Sequence, residues 1–412
     1  MPDGNYRFWL QTPGAYAQRA ESNSSLCMNT VQIKIDKGQI VLEPPTTAKN
    51  IRITRWTMNA VTFLTILTLS FARSVNAATI ELDCANGGDR ETIQQAIEAA
   101  NPGDTILLKG TCYLDDGQPI FIDKSQLTLS GDPGGTTVVK GLGAAGSGVV
   151  GFWITPLTPD DITIQNVSIS YLNFKDLTRG ISIFADLCLP TCVVTHGTAE
   201  NIVVNNNTFN NVIRSVQNFG SSKNLTIRDN VMTNTRGVAI DIIGGPGSTV
   251  CNGQRVTLGL PVGVTIQGNV IQNNPSSSVN GMLVDVQGEN PRAAIIGNTI
   301  TGQGVGFAVG IALGGSPSDT LIMNNFISNT SSGGIAFENC GYFNLANNQF
   351  SNNQPADVYI FPNFGNHDIK VIATDFQTTV IDGGINDTLI GTLNVLNNPN
   401  VPQEVKDHLL DP

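Results

Sequence analysis

Two acidic residues close matching apolar phrases. Asp241 ends Gly237-Val238-Ala239-Ile240-Asp241, and Asp285 ends Gly281-Met282-Leu283-Val284-Asp285. If each phrase is a strand and the two strands are neighbours, equivalent positions bring their Cα atoms about 4.8 Å apart. Carboxylates that close titrate as a pair, with one proton affinity raised unless a cation bridges them. Such a pair can hold Ca²⁺ together with loop oxygens, which makes calcium the one cofactor the residues suggest. It can equally serve as acid and base, which makes Asp241 and Asp285 candidate catalytic residues. By the same parity Ala239, Leu283, Ala312, Gly314, Ala336, Glu338, Tyr359 and Phe361 face outward on a flat floor. Glu338 and Tyr359 are therefore candidate substrate contacts. Asp285 and Glu338, two layers apart at roughly 10 Å, suit an inverting glycosidase once side-chain reach is included.

Arginine recurs just ahead of these phrases, in Thr178-Arg179-Gly180, Ile213-Arg214-Ser215 and Thr235-Arg236-Gly237. Three guanidinium groups at one level repel each other unless anions lie among them. Uronate or sulfate groups of a polysaccharide would meet that need; so would Asp176, Asp229 and Asp241 of the chain itself. In the first case Arg179 and Arg214 bind substrate and Arg236 joins the acids in catalysis. The combination then suits β-elimination or C5 epimerisation of a polyuronate, in which a cation neutralises the carboxylate while a base removes the α-proton. Two other readings stay open. One is a glycoside hydrolase using paired carboxylates. The other is a non-catalytic exported protein, glycan-binding or structural at the cell surface, whose acids and arginines satisfy one another.

The layers that would hold these residues are written in a repeat. The phrase apolar-x-apolar-x-x-Asn-x-apolar occurs around Asn207, Asn230, Asn269, Asn298, Asn325 and Asn348, with degenerate copies around Leu172 and Thr374. The shortest spacing, Asn207 to Asn230, is 23 residues. Alternation at period 2 makes each copy a strand with one buried face, and a period in the twenties means a solenoid. A second strand follows each copy, usually led by Gly, giving two or three short strands per coil. Asn suits the turn between them because it tolerates left-handed backbone and its amide both donates and accepts, so stacked Asn side chains can form a ladder. The expected fold is all-β: one right-handed parallel β-helix with an N-terminal capping helix and an internal Asn ladder.

On these residues, over roughly 79 to 390, the chain resembles the right-handed parallel β-helix family of the pectate-lyase-like superfamily. That group contains pectin and alginate lyases, polygalacturonases and many other secreted proteins. The resemblance implies the fold and an extracellular polysaccharide as the kind of partner. The Gly-His-Gly and paired-Asp signature of polygalacturonases, the Asp-Pro-His-Asp of alginate epimerases and the Arg-Pro-x-x-Arg of pectate lyases do not occur in this sequence.

The remaining chain sets bounds. A net charge of -11 argues against nucleic acid, whose binding rests on phosphate neutralisation. Residues 1 to 57 show no period and form a separate extension, either over-called upstream of a true start at Met58 or an unusually long leader. Arg52 and Arg55, the apolar run Val61 to Phe71 and Val75-Asn76-Ala77 read as a secretory signal over 58–77, cleaved after Ala77. The run is too short for a stable membrane span. The product, 78–412, would be secreted, periplasmic or surface-held. Its six cysteines favour disulfides, with Cys84–Cys112 and Cys188–Cys192 the expected pairs and no partner evident for Cys340. Asp89 to Ala100 reads as a capping helix over the first coil, the β-helix runs over 78–400, and 401–412 caps the far end.

Overall fold

The computed structural model describes residues 32–36, 39–43, 77–84, 89–115, 119–142, 148–155, 163–184, 186–188, 194–251, 254–273, 281–288, 292–302, 308–314, 320–338, 340–361, 365–373, 377–394 and 403. Contacts divide the chain into Met1–Asn76 and Ala77–Pro412. In the first unit Gln32–Asp36 pairs antiparallel with Gln39–Glu43. The expected signal segment, the Cys188–Cys192 pair and the helix expected at the C-terminal end fall outside the described residues.

The second unit is a right-handed parallel β-helix. Successive coils contribute one strand each to a twelve-stranded, a nine-stranded and an eleven-stranded sheet, and the middle coils add a four-stranded sheet. One full coil runs Thr163–Gln165, Ser168–Ser170, Asn173–Lys175, Arg179–Phe184. Pairing holds like residues level, as in Ile169↔Val204, Val204↔Ile227, Ile227↔Ile266 and Ile266↔Ile295. The interior is a set of apolar columns, all buried. Phe174 and Phe209, neighbours in one column, stack at 4.8 Å with 6° between ring planes. Stacked columns exclude water continuously, which a single coil cannot do alone.

The corners are sharp because residues at five-residue steps take left-handed backbone: Asn201, Asn206 and Asn211 in one coil, Asn224, Asp229 and Asn234 in the next. This corrects the role expected for the repeat's Asn. The left-handed residue is the one before it: Asn206, Asp229, Gly268, Gly297, Asn324 and Asn347. The repeat's Asn instead turns inward and bonds along the axis. Asn298 Nδ2 donates to Ile266 O at 2.9 Å and to Asn325 Oδ1 at 2.9 Å. Its backbone N–H donates to Asn325 Oδ1 at 2.9 Å, while its own Oδ1 accepts from Asn269 N at 2.9 Å and Nδ2 at 3.0 Å. The same set recurs from Asn207 to Asn348, and at the start Leu172 N–H donates to Asn207 Oδ1 at 3.0 Å. Each ladder amide from Asn207 to Asn325 thereby has both hydrogens and its oxygen met, as burial requires.

The first coil is closed by helix α1, Asp89–Ala99, with Ile93, Ala96 and Ile97 on the core. Its Gln94 extends the eleven-stranded sheet by one amide: Phe121 N–H donates to Gln94 Oε1 at 2.8 Å, and Gln94 Nε2 donates to Phe121 O at 3.3 Å. An edge strand that would otherwise invite another chain is blunted by a side chain. Cys84 and Cys112 form the expected disulfide, and Cys340 is buried and free.

The Gly-led phrases differ from the expected alignment. Gly281 pairs with Ala308, not with Gly310, and Val284 pairs with Ile311, which pairs with Ile335. Gly310 and Gly334 are glycines because the next coil's backbone fills the space: a Cβ on Gly310 would lie 2.5 Å from Gly334 O and 2.6 Å from Ile327, and one on Gly334 2.6 Å from Asp357 O. The matching position in the preceding coil is Leu283, which with Ala239 is fully buried rather than outward. Consecutive residues Leu283 and Val284 both belong to the core, so simple alternation fails there.

Two outcomes test this account. Asn298→Ala removes the acceptor of two Asn269 donors and strands Ile266 O, so equilibrium unfolding of 78–412 should lose about 3 kcal/mol or more. Reduction, or Cys84→Ser with Cys112→Ser, opens a link of sequence separation 28. Stability measured in denaturant should then fall by about 3–4 kcal/mol.

Candidate functional site

The outer face of the eleven-stranded sheet carries one continuous row. In register it reads Phe121, Trp153, Ser182, Gln217, Asp241, Asp285, Ala312, Ala336, Tyr359, Ile381. Polar residues fill its centre, aromatic rings stand toward both ends, and small residues lie between. Two β-hairpins, Asp186–Cys188 with Val194–His196 and Gly245–Cys251 with Gln254–Leu258, follow strands of this sheet.

Asp241 and Asp285 are register neighbours, as the sequence suggests. They do not lie on an open floor: Asp241 is 2% exposed, Asp285 6% and Gln217 5%. Arg214 Nε donates to Asp241 Oδ2 at 3.2 Å and Gln217 Nε2 donates to the same oxygen at 2.8 Å. Gln287 Nε2 donates to Asp285 Oδ2 at 2.9 Å. Each carboxylate is thus held through Oδ2 by a glutamine amide, and each Oδ1 is buried with no hydrogen-bond partner.

The two acids differ electrostatically. Burial raises the proton affinity of Asp241, and the Arg214 charge opposes it. Burial raises that of Asp285 much further, followed by the neighbouring Asp241 charge and, more weakly, that of Glu338. Both acids thus hold a proton more tightly than usual, Asp285 the more so, because Arg214 lies beside Asp241, and an unequal pair of this kind is what acid–base chemistry needs.

Other expected contacts fall differently. Arg179 and Arg214 pair directly, and burial with the Arg214 charge lowers the proton affinity of Arg179. Arg236 is not level with them. Its N–H donates to Val212 O at 3.5 Å. The ladder has two rungs because one extra residue lies between Thr233, level with Asn210, and Ile240, level with Val216, and it moves the third. Asp241 meets Arg214, whereas Asp176 accepts from Asn211 Nδ2 at 2.7 Å and Asp229 pairs with Arg228. Glu338 is exposed and level with Gly314 and Gln287, not with Asp285. Its Cα is thus about 12 Å from that of Asp285. Tyr359 is 6% exposed, packed with Ala356 and Ile381 and with its ring 4.2 Å from that of Phe361, so it is a support rather than an open contact.

Gln217 and Gln287, which orient the acids, were not singled out by pattern. Gln217 sits where no Gly-led phrase occurs, although its outward parity with Asp241 is readable once Arg214 is aligned with Arg179. Among the described residues no group of three or more His, Cys, Asp or Glu could hold a metal ion, and Arg214 already neutralises Asp241.

A buried acid whose folded-state proton affinity is raised contributes fully below the ordinary carboxylate range and loses that contribution as pH climbs through the raised value. Asp285→Asn removes the penalty of ionisation. Its unfolding midpoint should exceed wild type by about 1–2 °C at pH 7, and the gain should vanish below about pH 4. A variant less stable than wild type at both pH values would contradict the raised affinity.

No protein-family model matches the chain, and no curated protein does. Among solved structures it is similar to an alginate lyase from Paenibacillus, at 12% identity over 77% of this chain and 97% of that one, TM-score 0.42. A mannuronan C-5 epimerase A-module from Azotobacter vinelandii matches at 14% identity over 74% and 87%, TM-score 0.43. A DFA-IIIase from Arthrobacter chlorophenolicus matches at 12% over 76% and 94%, TM-score 0.47. Likeness at this level carries no argument about activity, and the fold rests on the strand pairing of this chain.

Proposed function

We propose that this is an exported enzyme acting on a polysaccharide laid along the outer row of the eleven-stranded sheet, with Asp285 as proton donor and Asp241 as its ionised partner. The observation that carries the reading is the in-register pair of buried carboxylates, each with one unsatisfied oxygen, whose surroundings drive their proton affinities apart. Unsatisfied buried acceptors destabilise a fold and are retained where a ligand meets them. Glycoside cleavage uses one protonated and one ionised carboxyl group, and the short separation of adjacent coils favours direct participation of Asp241 at the sugar over a water held between the acids. The Cys84–Cys112 disulfide fits an oxidising compartment, and no helix among the described residues is long and apolar enough to cross a membrane.

A polyuronate lyase or epimerase is the second reading, favoured by the adjacent guanidinium groups of Arg179 and Arg214. Arg214 already serves Asp241, and Arg179 stands level with it as a second guanidinium. The non-catalytic reading draws on the same ion pair, but it leaves the Oδ1 atoms of both acids without a purpose.

The assay incubates residues 78–412 with neutral and uronate polysaccharides and follows reducing ends beside the ultraviolet absorbance of unsaturated ends, with proton exchange by NMR for epimerisation. New reducing ends without unsaturation are expected, and Asp285→Asn should lower the rate by about 10²–10⁴. The rate should also fall as pH rises through the raised proton affinity of Asp285. Inactivity on every polysaccharide, or full activity in Asp285→Asn, would remove the pair from catalysis.

A further inference from the structure

We propose that the polysaccharide rests on Trp153, through the carbon–hydrogen face of a pyranose ring laid against the indole beside Phe121. The proposal builds on the reading of the row as a polysaccharide site and names the residue that meets the chain. Burial along the row points there. From Ser182 to Ile381 no member of the row is more than 8% exposed, whereas Phe121 and Trp153 are partly exposed. The row therefore meets solvent through aromatic rings, and a chain that comes to this face touches them first.

The two residues are register partners on Ile120–Ile122 and Val150–Ile154. Their ring centroids lie 5.9 Å apart with 82° between the planes. An edge-to-face contact uses one face of one ring and the edge of the other, so the remaining faces lie outside it. The backbone beneath is held on both sides: Phe121 N–H donates to Gln94 Oε1 at 2.8 Å, and Trp153 is level with Ser182 of the next strand. Little ordering is left for a ligand to impose, which is where rigid aromatic side chains gain over flexible ones. A pyranose presents apolar hydrogens on its faces and hydroxyls around its rim, so a face can be buried on a large apolar ring while the rim keeps its hydrogen bonds. Contact of that kind does not depend on whether the sugar carries a carboxylate. Trp153 lies three strand steps from Asp241, about 14 Å along the row. The ring it holds is thus a separate unit from the one at the acids.

Tryptophan occurs at positions 9, 56 and 153, so residues 78–412 carry Trp153 as their one indole emitter. Titration of 78–412 with the neutral and uronate polysaccharides, following tryptophan emission beside retardation in affinity gels, tests the contact. A polymer that retards the protein should change the emission saturably, and Trp153→Ala should weaken that retardation about tenfold. Trp153→Phe, which keeps a ring, should lose less. Wild-type emission decides the matter even if Trp153→Ala folds poorly. Emission unmoved by a polymer that retards the protein, or retardation undiminished in Trp153→Ala, would overturn the inference and leave the polysaccharide reading standing. Retardation by no polymer, together with silence in the product assays, would overturn both.

Discussion

The buried Asn column is the constraint on which the other features hang. An amide inside an apolar solenoid is tolerable only when both its hydrogens and its oxygen are met, and here each is met by the coil before and the coil after. A coil that slid against its neighbour would break several of these bonds at once. The column therefore acts as a register pin, and the interior stacks of Phe, Ile and Val follow from it. Left-handed Asn, Asp and Gly at the corners allow the chain to reach that geometry in so few residues.

Because register is pinned from inside, the outer face can afford unfavourable chemistry. Two adjacent buried acids, with an arginine on only one of them, would drift apart on a flexible loop. On adjacent strands they cannot. The arrangement converts the rigidity of the core into a fixed difference between two chemically identical side chains: Asp241 beside Arg214 and Gln217, Asp285 beside Gln287 and the Asp241 charge. The glutamines complete the device by occupying one oxygen of each acid and leaving the other without a partner.

Much of this was legible in the chain. The period and alternation gave the solenoid, the Asn phrase gave the ladder, the amphipathic stretch after Asp89 gave the cap, and the cysteines flanking it gave the disulfide. The pairing of Asp241 with Asp285 was legible because both close a five-residue phrase of the same form. Three expectations went astray. Glu338 was set level with Asp285 and Arg236 level with Arg214 by aligning the phrases that Gly leads, and Ala239 and Leu283 were set on the outside by parity. Glycine on these strands marks where the next coil's backbone comes close, as Gly334 O does to Gly310, and Gly281 is level with Ala308, not with Gly310.

The sequence alone determined which residues face in and which face out along most strands, since that is a matter of parity. Parity, however, is unchanged when a strand slips by two residues, so local pattern could not choose among registers that keep the same face buried. Only the tertiary structure chose, through the fit of Val284 on Ile311 and Ile335 and of Asn on Asn. That choice decided which charges meet: Arg214 reaches Asp241, Glu338 stands off, and Gln217 donates its amide to Asp241.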